Sequence, residues 1–480
     1  MSVLVVDVGT SGVRAAVVRE DASVTHAYHR EVLPESPAQG FVEFDAGVMA
    51  AAVLAVARDA LRAGGPVDAV GIADQRASTI VWDRATGEPV APGIGWQDLR
   101  TVGMCLMLRA QDIRLAPNQS ATKLAMLLDL ADPDRERDLC FGTVDTWVAW
   151  VLSGRRLHVT DHTNAGVTGL VSNDGAGWDL ELCEALRIPA SVLPTLVSST
   201  GVIGEASALE GSPVIAGIAG DQQASLVGQG CLGPGSAKAT FGTGGMLDCC
   251  VGRERPAFAQ RGSAGTFPIV AWSHAGELTW GLEAVMLSAG SCVEWLRDDL
   301  GIVSSAAETD AIAASVPDTG GVYFVPALLG LGTPVWDFGA RGTLVGITRG
   351  TTRAEIVRAV LEGIAHRGAD LLEAVVADSG LDVEVLKVDG GMSANATFVQ
   401  ALADTTRRRI EVAPVTEATT LGAAFLAGTA TGVWSSLDEA AALVRPRVVV
   451  EPGRRVDRAR WLEARSRSEQ TVPELSALDF

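Results

Sequence analysis

The sequence predicts an α/β protein of two similar halves folded around a shared cleft. Three observations carry that expectation. β-branched runs alternate with stretches of helical apolar spacing. A strand, a glycine-hydroxyl turn and a second strand open the chain, and the same design returns in its second half. The 480 residues are 48% hydrophobic, ample material for large buried cores, and roughly two to four domains are expected at this length.

The elements follow in order. Residues 3–6 and 13–18 read as strands flanking Asp7-Val8-Gly9-Thr10-Ser11-Gly12, a hairpin pattern. Residues 45–62 and 143–152 have helical spacing, and residues 68–73 and 79–82 read as short buried strands. Pro189 and Pro194 punctuate a loop region. A strand over 214–217 leads into Gly220-Asp221-Gln222-Gln223-Ala224. The second hairpin covers 236–247 around Gly242-Thr243-Gly244. Residues 352–378 read as a long helix and 385–388 as a strand, after which Asp389-Gly390-Gly391 turns into a helix near Asn395. The Ala- and Gly-rich residues 419–432 predict a tightly packed helix, and the charged residues 454–467 a solvated terminal one. The domain division is expected at 1–229 and 230–480.

Composition excludes several classes. With 38 basic and 58 acidic residues the formal charge is −20. That argues against a nucleic-acid binder and against docking on an anionic membrane. The N-terminus lacks a basic segment and Asp7 interrupts its apolar run, unlike a secretory signal. The apolar stretch 46–57 is too short to span a bilayer. Seven cysteines without a C-x-x-C pair suggest a reduced, cytoplasmic chain, with adjacent Cys249 and Cys250 read as strand residues or a redox pair. Lysine occurs only at Lys123, Lys238 and Lys387, none in a Walker-A motif. His158 and His162 are four apart without a third ligand nearby, a poor zinc site, and the tryptophans read as core.

Four segments carry possible chemistry. In the first loop, glycines let backbone amides approach a phosphate, Thr10 and Ser11 add hydroxyls, and Asp7 at a strand end suits Mg²⁺. Arg14 suits a transferring phosphoryl group, and an ordinary hairpin turn is the plain alternative. Phe241-Gly242-Thr243-Gly244 reads as a second phosphate clamp. Gly390-Gly391 before a helix makes room for adenosine, or else Ser393 merely caps that helix. Asp221 is a candidate general base for a hydroxyl nucleophile, and equally a candidate helix N-cap.

Taken together with Phe141-Gly142-Thr143-Val144-Asp145-Thr146-Trp147, with Pro334-Val335-Trp336-Asp337 before Ala340-Arg341-Gly342, and with the segment 342–362, these motifs resemble the FGGY carbohydrate kinases, closest to the glycerol kinase branch. The resemblance implies two RNase H-like domains of the actin/Hsp70/sugar kinase superfold around a central cleft. It makes Asp221 the catalytic base and Asp7 the magnesium-associated aspartate. Thr10, Ser11 and Arg14 match the phosphate loop, and Thr243, Gly290, Gly391 and Asn395 match nucleotide positions. Glu294 falls where the branch often has Gln near the nucleotide. ATP and Mg²⁺ are the implied cofactors, a small polyol or sugar the acceptor, and a homodimer or homotetramer a common assembly.

The acceptor pocket departs from that pattern. The branch carries N-Q-R-E-T-T where this chain has Asp74-Gln75-Arg76-Ala77-Ser78-Thr79. Arg76 is kept and the glutamate is replaced by Ala77. A pocket Tyr aligns with Asn118 and an aromatic wall residue with Met246, whereas Trp96, Asp221 and Gln222 are retained. Met126 stands where Trp is usual and Leu130 where a polar residue is usual. Losing a carboxylate that accepts polyol hydroxyls weakens glycerol by about 10- to 150-fold. The expectation is an active kinase for a polyol longer than glycerol. A true glycerol kinase with a remodelled pocket and an actin- or Hsp70-like ATPase acting through partners are the alternatives.

Overall fold

The computed structural model describes residues 1–414 and 418–478. Its opening strand, Ser2–Val8, is buried at every position from Ser2 to Val6. That follows from coverage on both faces. Leu4, Val6 and Val8 pack with Met49, Val53 and Val56 of the helix Ala46–Gly64. Val3 and Val5 point the other way, into a cluster with Leu421 and Phe425 of the helix Ala418–Thr431. Both phases of the strand are apolar because successive side chains point to opposite faces and each face meets its own core.

Among the described residues one sheet of thirteen strands runs through both halves. In the first half, Ser2–Val8 pairs antiparallel with Gly12–Arg19 and parallel with Ala69–Asp74, which pairs parallel with Val214–Gly220. In the second half, Ala237–Phe241 pairs antiparallel with Gly245–Gly252 and parallel with Val385–Asp389, which pairs parallel with Arg409–Val412. The repeated hairpin of the sequence is therefore a repeated sheet order. The halves join where Thr200 lies opposite His274.

The Ala/Gly-rich helix Ala418–Thr431 belongs to the second half by sequence and packs on strands of the first. Small residues on both sides permit this. A Cβ on Gly71 would lie 2.4 Å from Ala423 O, and one on Gly217 would lie 2.6 Å from Ala427 N. The same helix crosses the helix Asp221–Gly228 at bare backbone. Added Cβ atoms would lie 1.7 Å from Ala224 O at Gly422 and 2.0 Å from Ala418 O at Gly228. Gly422→Ala is accordingly expected to destabilise the fold by about 3 kcal/mol or more, read as a lower urea midpoint.

The terminal segment differs from its expectation. The helix Arg458–Ser466 is docked rather than fully solvated, with Trp461 completely buried. Its charged residues are themselves the anchors. Arg458 and Arg465 reach the buried Asp370 at 2.6 and 3.1 Å. Arg367 pairs with the same carboxylate at 2.6 Å, and Trp461 Nε1 donates to it at 3.1 Å. Arginines that read as surface charge close over an acid on the long helix Arg353–Ser379.

The two histidines serve packing. His158 Nε2 donates to Phe141 O at 2.7 Å, its ring meets Trp82 edge-on, and burial pushes its pKa down to about 4. His162 Nδ1 lies 2.9 Å from Val197 O. All seven cysteines are buried and unpaired. Cys249 and Cys250 face opposite cores, as successive strand residues do.

Candidate active site

Parallel strands release their chains at one sheet edge, and the site forms there. The registers place Val8 and Gly220 on either side of Asp74. Three segments thus leave the sheet together: the turn after Val8, the loop beginning Gln75-Arg76-Ala77, and the helix that starts at Asp221. Asp7 and Asp221 end up about two strand spacings apart, on the order of 10 Å.

The first turn is compact, with Gly9 N donating to Gly12 O at 2.9 Å. Ser11 is exposed. The Thr10 hydroxyl accepts from Trp96 Nε1 at 3.3 Å, which ties the phosphate-loop candidate to a pocket candidate. Arg14 lies back along the second strand, opposite Asp7.

Asp221 is not the N-cap of its helix. Gly220 occupies that position, and the Asp221 carboxylate accepts from the adjacent Gln222 N at 2.8 Å. It is one-third exposed and lies 3.6 Å from Arg76 Nε. Burial raises its pKa, with Arg76 and Lys238 opposing. The carboxylate is thus left partly open instead of serving as the helix cap.

The acceptor loop is held in an uncommon shape. Ala77 has φ +61°, and its carbonyl accepts from Ser120 Oγ at 3.0 Å. Trp96 N donates to Ser78 Oγ at 3.1 Å. Lys123, fully buried, donates to Gly95 O at 2.9 Å and to Trp96 O and Asn118 O at 3.3 Å. Arg76, Ala77, Trp96 and Asn118 are therefore brought into one neighbourhood, with the Asn118 residue itself exposed. Beneath them Asp74 accepts from Asn164 Nδ2 at 2.9 Å and Asp145 N at 3.1 Å. Burial, reinforced by Asp145, holds Asp74 well above the usual carboxylate range.

Residues of the second half meet Arg76 and Gln222. Arg76 Nη2 lies 3.8 Å from Met246 Sδ and donates to Glu283 Oε2 at 2.6 Å. Burial opposes the Arg76 charge, and Glu283 with Asp221 outweighs it, so the pKa rises. Gln222 Oε1 accepts from Lys238 Nζ at 2.5 Å, and Lys238 lies 2.7 Å from Asp248. Sequence reasoning missed Glu283, Lys238 and Asp248. The one available signal was the scarcity of lysine, since each of the three lysines is committed to an interior contact, Lys387 donating to Gln229 O.

Among the nucleotide candidates, Gly391 faces open space, as does Gly242 of the second loop. Gly290 backs onto Gly242, its N donating to Gly242 O at 2.8 Å, and a Cβ there would fall 2.6 Å from the same oxygen. Gly390, at φ +85°, would place a Cβ 2.5 Å from Phe241 O. The second loop and the double-glycine turn therefore meet backbone to backbone. Thr243 is exposed at the loop tip, and Glu294 is exposed at the end of the short helix Gly290–Glu294. The helix cap expected at Ser393 falls instead on Asn395, whose Oδ1 accepts from Phe398 N at 2.9 Å and whose Nδ2 donates to Thr309 Oγ1 at 3.0 Å.

The model for the N-terminal domain of FGGY carbohydrate kinases matches residues 2–228, and that for the C-terminal domain matches 237–431. A glycerol kinase of Rhodopirellula baltica is 41% identical over 100% of this chain and 93% of its own length. One from Shewanella amazonensis is 42% identical over 91% of this chain and 92% of its own. The crystal structure of Plasmodium falciparum glycerol kinase with ADP superposes with a TM-score of 0.90 at 27% identity, covering 100% of this chain and 99% of that one. With both halves matched and a two-domain fold of the actin/Hsp70/RNase H-like superfold, the chain belongs to the FGGY family of ATP-dependent carbohydrate kinases.

Proposed function

We propose that the chain transfers the γ-phosphoryl group of ATP to a terminal hydroxyl of a small polyol of the glycerol class, in an acceptor pocket altered to take a longer chain than glycerol. The observation that carries the reading is Asp221, left partly open beside Arg76. Asp221 takes the proton as the hydroxyl attacks. Arg76, Gln222 and Trp96 orient the acceptor. The two glycine loops supply amides, with Thr10, Ser11, Arg14 and Thr243 at the phosphates and Gly290, Glu294, Gly391 and Asn395 around the nucleoside. In this scheme residues 1–229 bind the acceptor and carry the base, and residues 230–480 bind the nucleotide.

Asp7 fits a magnesium ion in this setting. It is a half-buried carboxylate at a strand end beside a phosphate-type turn. Among the described residues no group of three or more His, Cys, Asp or Glu is arranged to hold a metal alone. Asp7 would hold such an ion, directly or through water. When bound, such an ion neutralises charge on the phosphates.

Ala77, Asn118 and Met246 support the longer acceptor, because small or flexible residues replace larger ones expected from the resemblance. Glu283 favours a second reading, glycerol itself, since it returns a carboxylate to the neighbourhood of Arg76. Among the described residues no helix is long and apolar enough to cross a membrane, and a cytoplasmic enzyme is the proposal. Initial rates of ADP release with ATP and Mg²⁺ test these readings against glycerol, erythritol, the threitols, the pentitols and common ketoses. A tenfold or greater preference for a longer polyol is expected, of the size about one charge-assisted hydrogen bond supplies. Strong preference for glycerol selects the second reading, and ATP turnover indifferent to every polyol sinks both. In the same assay, Ala77→Glu is expected to improve glycerol by about tenfold relative to the longer acceptor.

A further inference from the structure

Gln222, Lys238, Asp248, Glu283 and Arg76 form a continuous polar row. Its middle three members come from adjacent strands of the second half, Ala237–Phe241, Gly245–Gly252 and Glu277–Met286. Lys238 is the register partner of Asp248, and Asp248 is the register partner of Glu283. Directly opposed residues share one face of a sheet, so the three side chains stand side by side. Lys238 and Asp248 are fully buried and Glu283 nearly so. The two ends of the row belong to the first half, Lys238 Nζ donating to Gln222 Oε1 and Glu283 Oε2 accepting from Arg76 Nη2.

We infer that Lys238, Asp248 and Glu283 are positioning residues for the acceptor, a charged row of the second half that orients the two hydroxyl-binding side chains of the first. The inference rests on the polyol kinase reading. Buried ion pairs are poor stabilisers compared with apolar packing of the same volume, so stability alone gives this row no purpose. Orientation does. A lysine can only donate, so its bond fixes the Gln222 amide with Oε1 toward Lys238 and turns the Nε2 donor the other way. Arg76 is fixed in the same manner. Nη2 is taken by Glu283 and Nε faces Asp221, while Nη1 is buried with no hydrogen-bond partner among the described residues. Both ends of the row thus offer N–H donors to acceptor oxygens, and Asp221 is left as the oxygen that receives a proton.

Two variants of the full chain test this, each assayed with the preferred polyol of the wild type. Glu283→Gln keeps shape and removes the charge that orients Arg76. The double variant Lys238→Met/Asp248→Leu removes the buried pair together and strands no charge. In each, the acceptor KM is expected to rise about tenfold or more, with the ATP KM within about twofold of wild type. Acceptor KM values unchanged in both variants overturn the positioning role and leave the kinase reading standing. A parallel rise of both KM values with a fallen Tm also overturns it, because that marks general loss of packing. A wild type that releases no polyol-dependent ADP removes the kinase reading itself, and this inference with it.

Discussion

Asp221→Asn is expected to lower kcat by about 10²–10⁴-fold, the usual contribution of a positioned general base. Nucleotide affinity should stay within about twofold. The substitution preserves shape, and the amide oxygen can still accept from Gln222 N, so the start of the helix keeps its local bond. What is lost is the ability to take a proton from the attacking hydroxyl. Arg76 retains Glu283 at 2.6 Å and so keeps its place. The pH dependence has a definite sign. Asp221 acts as its carboxylate, and burial raises its pKa, so the wild-type rate should fall as pH drops through that raised value. Steady-state rates paired with calorimetric titration of ADP separate the two effects. Equal losses in turnover and nucleotide affinity would reassign Asp221 to the nucleotide site.

The second large effect is on stability. Asp370→Ala is expected to cost about 3–5 kcal/mol, because removing one partner of a buried ionic cluster strands the others. Here the others are Arg367 and the two terminal-helix arginines Arg458 and Arg465. Burial alone would raise the Asp370 pKa, yet the three guanidiniums outweigh it and hold it down at about 2. A depressed carboxylate stabilises the fold above its unfolded value of about 3.9. That contribution is lost as pH falls from there through about 2, so wild type and variant should converge in acid. Urea unfolding at neutral pH reads the difference. An unchanged midpoint would mean that Trp461 alone docks the helix.

The same helix shows where local pattern stops being informative. Its composition is that of a solvated surface, and nothing within residues 454–467 announces that Asp370 lies underneath. The opening strand is the opposite case. Its apolar run is written in consecutive residues, and each of its two faces meets its own core. The Ala/Gly-rich helix was legible for a similar reason, since only small residues allow the backbone approaches seen at Gly71 and Gly217. As site candidates, Asp221 and the two glycine loops can be read from short motifs. Glu283 could not, because it meets Arg76 across 207 residues of sequence. The charged row is fixed by strand register, which no single segment encodes. The Ser393 cap failed by two positions, a small error that moved a capping role onto a nucleotide-site candidate.

The bare crossing of the helices Asp221–Gly228 and Ala418–Thr431 also governs how this protein can be engineered. Replacing helical glycine by alanine is a common route to thermostability, worth about 0.8–1.0 kcal/mol of helix propensity per site. At Gly228 and Gly422 that route is closed, because the added methyl would enter the backbone of the opposing helix. A stabilised variant must therefore be built outside this crossing. A library that alanine-scans glycines would report the two positions as severe losses although neither contributes a side chain to anything. Those losses would mark the spacing between the helix that begins at Asp221 and the one that reaches from the second half onto the first.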